Sequence, residues 1–268
     1  MTFHEETEAG TRAERIDPVT VVHSWSADAL AAFKDGSGDG LSPDDVGGKI
    51  GQSFGADLEG VVADRLPTSQ LKRSEVFCLN SDGSINTATV CAAIMAWGGM
   101  NQRFSKKFFS IAREGWLAVA DDIRKGQLDR KAAYNAFLAL RDSGKLYGVG
   151  PAYFTKIIYF LTPRSSETQD HAYIMDQWAG CSINLLVCDE LVKMDVTRRW
   201  RKDADEPDYS YRVSDANTGA GYEKFCVAAD ALRMHFNLTH DQVDRLMIAN
   251  GGKNKSSWRK YVIGNRSI

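Results

Sequence analysis

The sequence lacks an apolar run long enough to cross a membrane. Its longest run, residues 90–97, is far shorter than the roughly 20 residues that a transmembrane helix needs. Residues 1–30 carry several acids and no apolar segment of the kind found in secretory signals. These absences argue against a membrane or secreted protein, so we expect a cytoplasmic protein without membrane contact.

Cysteine is also scarce. The chain has 5 cysteines, an odd number, and they are scattered along the sequence. Such spacing is typical of reduced thiols and argues against a disulfide framework. We therefore expect free thiols, and we expect neither a metal ion nor another cofactor.

The sequence also lacks a strong excess of one charge, since its net charge is −2. The charged residues are nevertheless unevenly distributed along the chain. Residues 1–65 are acidic, whereas the remainder is mildly basic. Three basic clusters lie in the remainder: residues 103–107, 198–202 and 253–266. They are compatible with a polyanionic partner, although basic clusters are commonly only solvated faces. We predict an acidic, partly disordered segment over residues 1–66 and a folded core over residues 67–268.

Repeats and long alternating strand patterns are absent, and much of the chain has apolar residues at helical spacing. Eight segments are predicted to be helices: residues 21–33, 86–97, 103–120, 130–142, 151–161, 177–192, 222–236 and 239–248. End signals support some of them, such as Gly98-Gly99 after one helix and Thr239 with Gln242 at the start of another. The sequence therefore predicts a mainly α fold.

The most informative motif is Leu146-Tyr147-Gly148-Val149-Gly150-Pro151, between two predicted helices. Gly148 and Gly150 let backbone amides approach a ligand closely, and Pro151 suits the first turn of a helix. The start of a helix binds phosphate through its N–H groups and dipole, and Lys145 would add positive charge. A plain turn between helices also favours glycine, so the motif alone leaves both interpretations open.

An acidic residue preceded by apolar residues follows this motif, namely Asp176 in Tyr173-Ile174-Met175-Asp176. A carboxylate held near a sugar C1′ stabilises the positive charge that develops when an N-glycosidic bond breaks, and it can activate water. Asp170 is the alternative acid, but it lies in a polar connector. Asp176 also suits the N-cap of a helix, and the two roles are compatible.

Together these features resemble the helix-hairpin-helix DNA glycosylases, and within them bacterial proteins with an oxoguanine-glycosylase-like fold. The resemblance rests on residues 148–156, on Ile174-Met175-Asp176 and on Trp258-Arg259-Lys260-Tyr261, and it spans about residues 70–268. It implies two helical lobes flanking a cleft, a monomer, and double-stranded DNA containing a modified base as the partner. Some proteins of this group are anti-phage factors that excise glucosylated hydroxymethylcytosine, so the resemblance also suggests a hypermodified phage base as substrate.

The resemblance also implies a catalytic role for Asp176. Bifunctional family members carry a lysine two positions after the second hairpin glycine, where this chain has Ala152. Lys156 lies one helical turn further along the same face, and it is the second predicted catalytic residue. We expect a monofunctional enzyme that uses water. A lysine-dependent lyase step and a Lys156 that binds phosphate or reaches solvent remain alternatives.

Base excision further needs a wedge in the vacated base stack and walls for the extruded base. Gly148, Gly150 and Lys145 are predicted to bind DNA, and Asn101 and Gln102 offer amides for the wedge. A plain turn at Gly98-Gly99 is the alternative for the last two. Three aromatic residues are predicted to line the base pocket: Tyr153, Phe154 and Trp178.

Cys181 and Cys188 have the spacing that opens the iron–sulfur loop of some related glycosylases. The next ligand positions hold Leu191 and Thr197, which do not bind iron, so we expect no cluster. The sequence thus predicts a DNA glycosylase acting on a modified or damaged base. The alternatives are an oxoguanine-type repair glycosylase, a non-catalytic DNA-binding module, and a helical protein for a small molecule or protein partner.

Overall fold

The computed structural model describes residues 25–37, 45–110, 113–164, 171–200, 207–248 and 256–266. This part of the chain is mainly helical, which confirms the predicted fold class. Its helices are α1 (Ala27–Ser37), α2 (Gly51–Gly55), α3 (Arg73–Ser81), α4 (Thr87–Trp97), α5 (Gln102–Ser110), α6 (Arg113–Arg124), α7 (Arg130–Asp142), α8 (Pro151–Leu161), α9 (Gln177–Val187), α10 (Gly219–Phe236), α11 (His240–Ile248) and α12 (Ser257–Asn265). Its strands are β1 (Val46–Ile50), β2 (Gln70–Lys72), β3 (Met194–Arg199) and β4 (Asp208–Val213). None of these helices is both long and apolar enough to span a membrane.

Helices α4 and α8 lie at the centre of the core. Every residue of α4 is buried, and so are all residues of α8 except Ala152 and Tyr153. Helices that are apolar on all faces are typical of a domain interior. Trp97 of α4 meets Phe160 of α8 edge to face, with ring centroids 4.9 Å apart. The pair packs the C-terminal ends of α4 and α8 against each other.

The described residues before position 67 pack into the same hydrophobic cluster as the rest. Phe33 of α1 contacts Trp258 of α12 edge to face at 5.1 Å, and β1 pairs antiparallel with β2. Gly47 allows β1 to lie against the end of α4, because a Cβ there would be 2.4 Å from Trp97 Cα. The division between residues 66 and 67 stays a prediction about domain organisation, but the described residues on its two sides share one core.

Several predicted helix boundaries differ from the structure. The predicted helix 103–120 is two helices, α5 and α6. The predicted helix 222–236 begins three residues earlier, at Gly219 of α10, and the strand β4 precedes it. The β3–β4 hairpin runs in register from Met194 opposite Val213 to Arg199 opposite Asp208. The alternation in β4 gives no clear strand signal because serine and arginine lie between its apolar residues and aspartate begins the strand, so the six residues look polar.

Candidate active site

Asp176 is the N-cap of α9. Its Oδ1 accepts hydrogen bonds from the backbone N–H groups of Trp178 at 2.9 Å and Ala179 at 3.0 Å. Its other oxygen, Oδ2, accepts no hydrogen bond from the described residues. The side chain is half-buried. One carboxylate oxygen therefore holds the side chain in place, and the other has no hydrogen-bond partner among the described residues.

The extended chain before Asp176 is held by side chains from two other elements. Ile174 N donates to Asp244 Oδ1 of α11 at 2.8 Å, and Met175 N donates to Thr155 Oγ1 of α8 at 3.1 Å. Both interactions are buried, where an unpaired N–H would be unfavourable. Thr155 and Asp244 therefore fix the position of the acid, and the sequence offered no signal for either contact because both are long-range.

Asp244 is held in turn by a buried guanidinium. Arg73 lies 2.5 Å from Asp244 and 2.7 Å from Asp45, and it donates to Tyr159 Oη at 2.6 Å. Its guanidinium carbon also lies 4.9 Å from the centroid of the Trp97 ring. This group ties the N-terminus of α3 to the end of α4, to α8 and to α11, so the helices around the acid form one unit.

Lys156 is 8 % exposed and points back along α8. Its Nζ donates to Ala152 O at 2.7 Å and lies 5.4 Å from the centroid of the Tyr153 ring. Burial lowers the pKa of Lys156, and the negative charge of Asp176 opposes this shift. The structure thus brings Lys156, Ala152 and Asp176 together, with the amine bound to the carbonyl of the residue that replaces the family lysine.

Residues 143–150 join α7 to α8 in a tight hairpin. Gly148 has φ +69° and is exposed, so a residue with a Cβ would be strained there. Gly150 is the N-cap of α8 and Pro151 is its first residue. Among the described residues, nothing accepts a hydrogen bond from the N–H groups of Gly148 and Gly150, and Lys145 is exposed nearby in sequence. The predicted helix, hairpin and helix are present, with backbone donors available.

A cleft of about 440 Å³ lies beside this hairpin. Tyr147, Gly148, Ala152 and Tyr153 line one side, and Arg212 of β4 lines the other. The β3–β4 hairpin therefore contributes a wall next to the residues predicted to bind DNA.

The two amides predicted to form a wedge differ in their surroundings. Asn101 is exposed, and its Oδ1 accepts from Arg103 N at 2.9 Å at the start of α5. Gln102 donates through Nε2 to Phe54 O at 3.0 Å. The amide of Gln102 is thus used in packing α2 against α5, whereas Asn101 is exposed and its amide nitrogen has no hydrogen-bond partner among the described residues.

Of the three aromatic residues predicted to line the base pocket, Phe154 instead lies in the core. Tyr153 and Trp178 are half-buried, next to Lys156 and Asp176 respectively. Phe154 is 0 % exposed, and its ring packs against Tyr134 and Phe137 with centroids 4.8 Å and 5.6 Å away. Consecutive helical residues point about 100° apart, so Phe154 faces the core when Tyr153 faces the cleft.

The sequence did not single out Arg259 of α12 as a site residue, although the family resemblance includes its segment, residues 258–261. Its guanidinium carbon lies 3.7 Å from the centroid of the Trp178 ring. Burial lowers the pKa of Arg259, and the charge of Asp176 opposes that shift. The only sequence signal was the mixture of aromatic and basic residues in Trp258-Arg259-Lys260-Tyr261. Asp170, the alternative acid, lies outside the described residues.

The family comparison agrees with this geometry. A family model described as "Putative 8-oxoguanine DNA glycosylase OGG-like protein" matches residues 52–247. The chain therefore belongs to this OGG-like family, and membership supports DNA glycosylase activity and a DNA substrate. Searches of curated proteins and of solved structures gave no match.

Proposed function

We propose that the protein is a monofunctional DNA glycosylase that hydrolyses the N-glycosidic bond of a flipped-out modified base. The observation that carries this proposal is the placement of Asp176 in a chain of the OGG-like family. Its carboxylate is fixed by two backbone N–H groups, has one oxygen without a partner in the described part, and lies close enough to the buried Lys156 of α8 for the two charges to interact.

The chemistry follows from the charge that the reaction creates. As the bond between C1′ and the base nitrogen breaks, the base leaves with the electron pair and the sugar becomes oxocarbenium-like. The Asp176 carboxylate stabilises this cation, and its free oxygen accepts a proton from the attacking water. The water oxygen bonds to C1′, and the departing base takes up a proton. The product is an abasic site.

The geometry of Lys156 favours hydrolysis by water over attack by a lysine. A nucleophilic lysine must reach C1′ with a free electron pair. The Lys156 amine donates to Ala152 O and is almost enclosed by the protein, which favours a positioning role beside Asp176. The hairpin N–H groups of Gly148 and Gly150, with Lys145, would bind DNA phosphate, and Asn101 would contact the space left by the flipped base.

Two substrates fit the proposal, and different observations favour them. Residues 148–156 and 174–176 resemble bacterial proteins with an oxoguanine-glycosylase-like fold, and some proteins of that group are anti-phage factors, which favours a hypermodified phage base such as glucosylated hydroxymethylcytosine. The description of the matched family favours 8-oxoguanine. We propose the phage base, and hence a role in anti-phage defence, as the first substrate to test, with the protein acting as a monomer.

The test is a base-release assay with both substrates. Purified protein is incubated with phage DNA containing glucosylated hydroxymethylcytosine, with duplexes containing 8-oxoguanine, and with unmodified DNA. Released base is identified by mass spectrometry, and abasic sites are scored as alkali-sensitive breaks. We expect release from one modified DNA and at least about 10³-fold less with Asp176→Asn.

Asp129→Asn is the matched control, because Asp129 is also an aspartate N-cap and accepts from Ala132 N at 2.7 Å. It should retain wild-type base release. Equal activity of Asp176→Asn and wild type would contradict the catalytic assignment. Salt-sensitive binding of DNA without abasic product from any substrate would favour the non-catalytic binding module.

A further inference from the structure

Arg259 and Arg266 differ from three ion-paired arginines of the described chain. Arg73, Arg130 and Arg164 each lie within 3.1 Å of a carboxylate. The side chains of Arg259 and Arg266 have no carboxylate partner in the described part of the chain, although both are half-buried. The Nε–H of Arg259 is shielded from solvent and has no acceptor there either. Guanidinium groups held without counterions are suited to bind an anion.

The two arginines share an aromatic platform. The guanidinium carbon of Arg259 lies 3.7 Å from the Trp178 ring centroid, and that of Arg266 lies 5.3 Å from it. Arg266 also lies 4.3 Å from the ring centroid of Tyr211 in β4. Stacking on aromatic faces orients a guanidinium without using its N–H donors. Both cations are therefore positioned while their donors stay available.

The platform itself is fixed to the catalytic helix. When the side-chain amide of Gln177 is oriented to satisfy its neighbours, it accepts from Trp178 Nε1 at 3.2 Å and donates to Tyr211 O at 2.7 Å. Trp178 is two residues after Asp176 and donates its backbone N–H to it. The two arginines thus lie against a tryptophan that is hydrogen-bonded to the proposed catalytic carboxylate.

We propose that Arg259 and Arg266 bind a DNA phosphate next to the flipped nucleotide and so place its C1′ over Asp176. This inference rests on the proposed function. A phosphodiester is favoured over the base itself because it carries a permanent negative charge, whereas most bases are neutral, and because its oxygens match a planar guanidinium fork. Two cations beside Asp176 also offset the repulsion between that carboxylate and the DNA backbone.

The test uses a duplex with a tetrahydrofuran abasic analogue, which is bound but not cleaved. Affinity is measured by fluorescence anisotropy for this duplex and for versions in which one flanking phosphate at a time is a neutral methylphosphonate. For the wild type, we expect neutralisation at one flanking position to weaken binding about 10-fold. Arg259→Gln should weaken binding to the unmodified backbone by a similar factor and show no further loss at that position.

Lys131→Ala is the control, because it removes an exposed positive charge at the end of α7 that is remote from the hairpin. It should keep the full methylphosphonate effect. If Arg259→Gln loses its fold by thermal melting, Arg259→Lys is used instead, and it should retain only part of the effect. Arg266→Gln should behave like Arg259→Gln.

The outcomes separate the two proposals. The phosphate site would be overturned if, in both arginine variants, each neutralised flanking phosphate weakened binding as much as it does in the wild type. This conclusion requires that the wild type prefers the abasic duplex. Equal affinity of the wild type for abasic and unmodified duplexes would contradict base flipping, and the phosphate site would fall with it.

Discussion

Two groups of charged residues lie close together in this protein and are organised in opposite ways. In the paired network, Arg73 and Arg164 each contact carboxylates, namely Asp45, Asp244 and Asp241, at 2.5–3.0 Å. In the open site, Lys156, Arg259 and Arg266 lie around Asp176, and within the described residues none of these cations forms an ion pair with it. The paired network joins helices, whereas the open site retains unsatisfied charge.

The difference indicates which charges serve the fold and which serve a ligand. Buried charges are tolerated when each has a partner, and removing one partner is strongly destabilising. Charges without partners do not stabilise the fold, and they are typical of sites where a substrate completes the interactions. The two groups should therefore respond differently to substitution.

The largest expected effect is on the paired network. Arg73→Leu should lower the free energy of unfolding by about 3–5 kcal/mol, because Asp45 and Asp244 lose their buried partner. Denaturant unfolding of the purified variant measures this change. Arg212→Leu is the matched control, since its ion pair with Asp195 is exposed and should contribute less than about 1 kcal/mol. Similar losses in both variants would show that burial of the pair is not the deciding factor.

A cation of the open site should behave in the reverse way. Lys156→Met should reduce single-turnover base release by about 10²-fold while leaving the free energy of unfolding unchanged or higher. The reason is that the buried amine lacks a carboxylate ion pair in the described part, so its charge does not stabilise the fold. Borohydride treatment of the wild type with substrate should give no covalent adduct. A trapped adduct would instead identify Lys156 as a nucleophile.

Thr155 holds the chain before Asp176 of the open site, and its hydroxyl gives the next smaller effect. Thr155→Val removes the acceptor for Met175 N and the donor to Pro151 O, so unfolding should become about 1–3 kcal/mol easier. Base release should fall as well, because the chain before Asp176 is no longer fixed. Thr155→Ser keeps the hydroxyl and should retain activity. Equal activity of the valine and serine variants would mean that Asp176 is positioned by its cap alone.

The smallest effect concerns a histidine pair beside the paired network. Burial, followed by the nearby charges of His171 and Arg233, lowers the pKa of His240 from 6.5 to about 4. The two imidazole centroids are 3.7 Å apart. A histidine whose pKa is lowered in the folded state contributes to stability at a pH above 6.5, the pKa of the unfolded state. This contribution is lost as the pH falls from 6.5 towards 4.

His240→Gln should therefore flatten the pH dependence of unfolding in this range, by about 1–3 kcal/mol in total. Thermal or denaturant unfolding between pH 7 and pH 4 measures it. His235, which is exposed, provides the control: His235→Gln should leave the pH dependence unchanged. An unaltered slope in His240→Gln would assign the acid sensitivity to other groups.

Much of the fold could be predicted from the sequence. Helices α7 and α8 have the predicted bounds, and α4 and α11 differ from them by a single residue. These elements carry a helical apolar period with clear end signals, which are local properties. The β3–β4 hairpin was missed because its pairing partners contribute as much as its own residues do.

The candidate site likewise has features that follow from local sequence and features that depend on long-range contacts. The sequence by itself determined the glycine hairpin, the acid at the start of α9 and the lysine one turn beyond Ala152, because these depend on residue type and spacing along one helix or turn. Only the tertiary structure decided that Phe154 is buried in the core, that Thr155 and Asp244 hold the chain before Asp176, and that Arg259 lies over Trp178. Those contacts join residues far apart in the chain, and long-range packing leaves no periodic mark in the sequence.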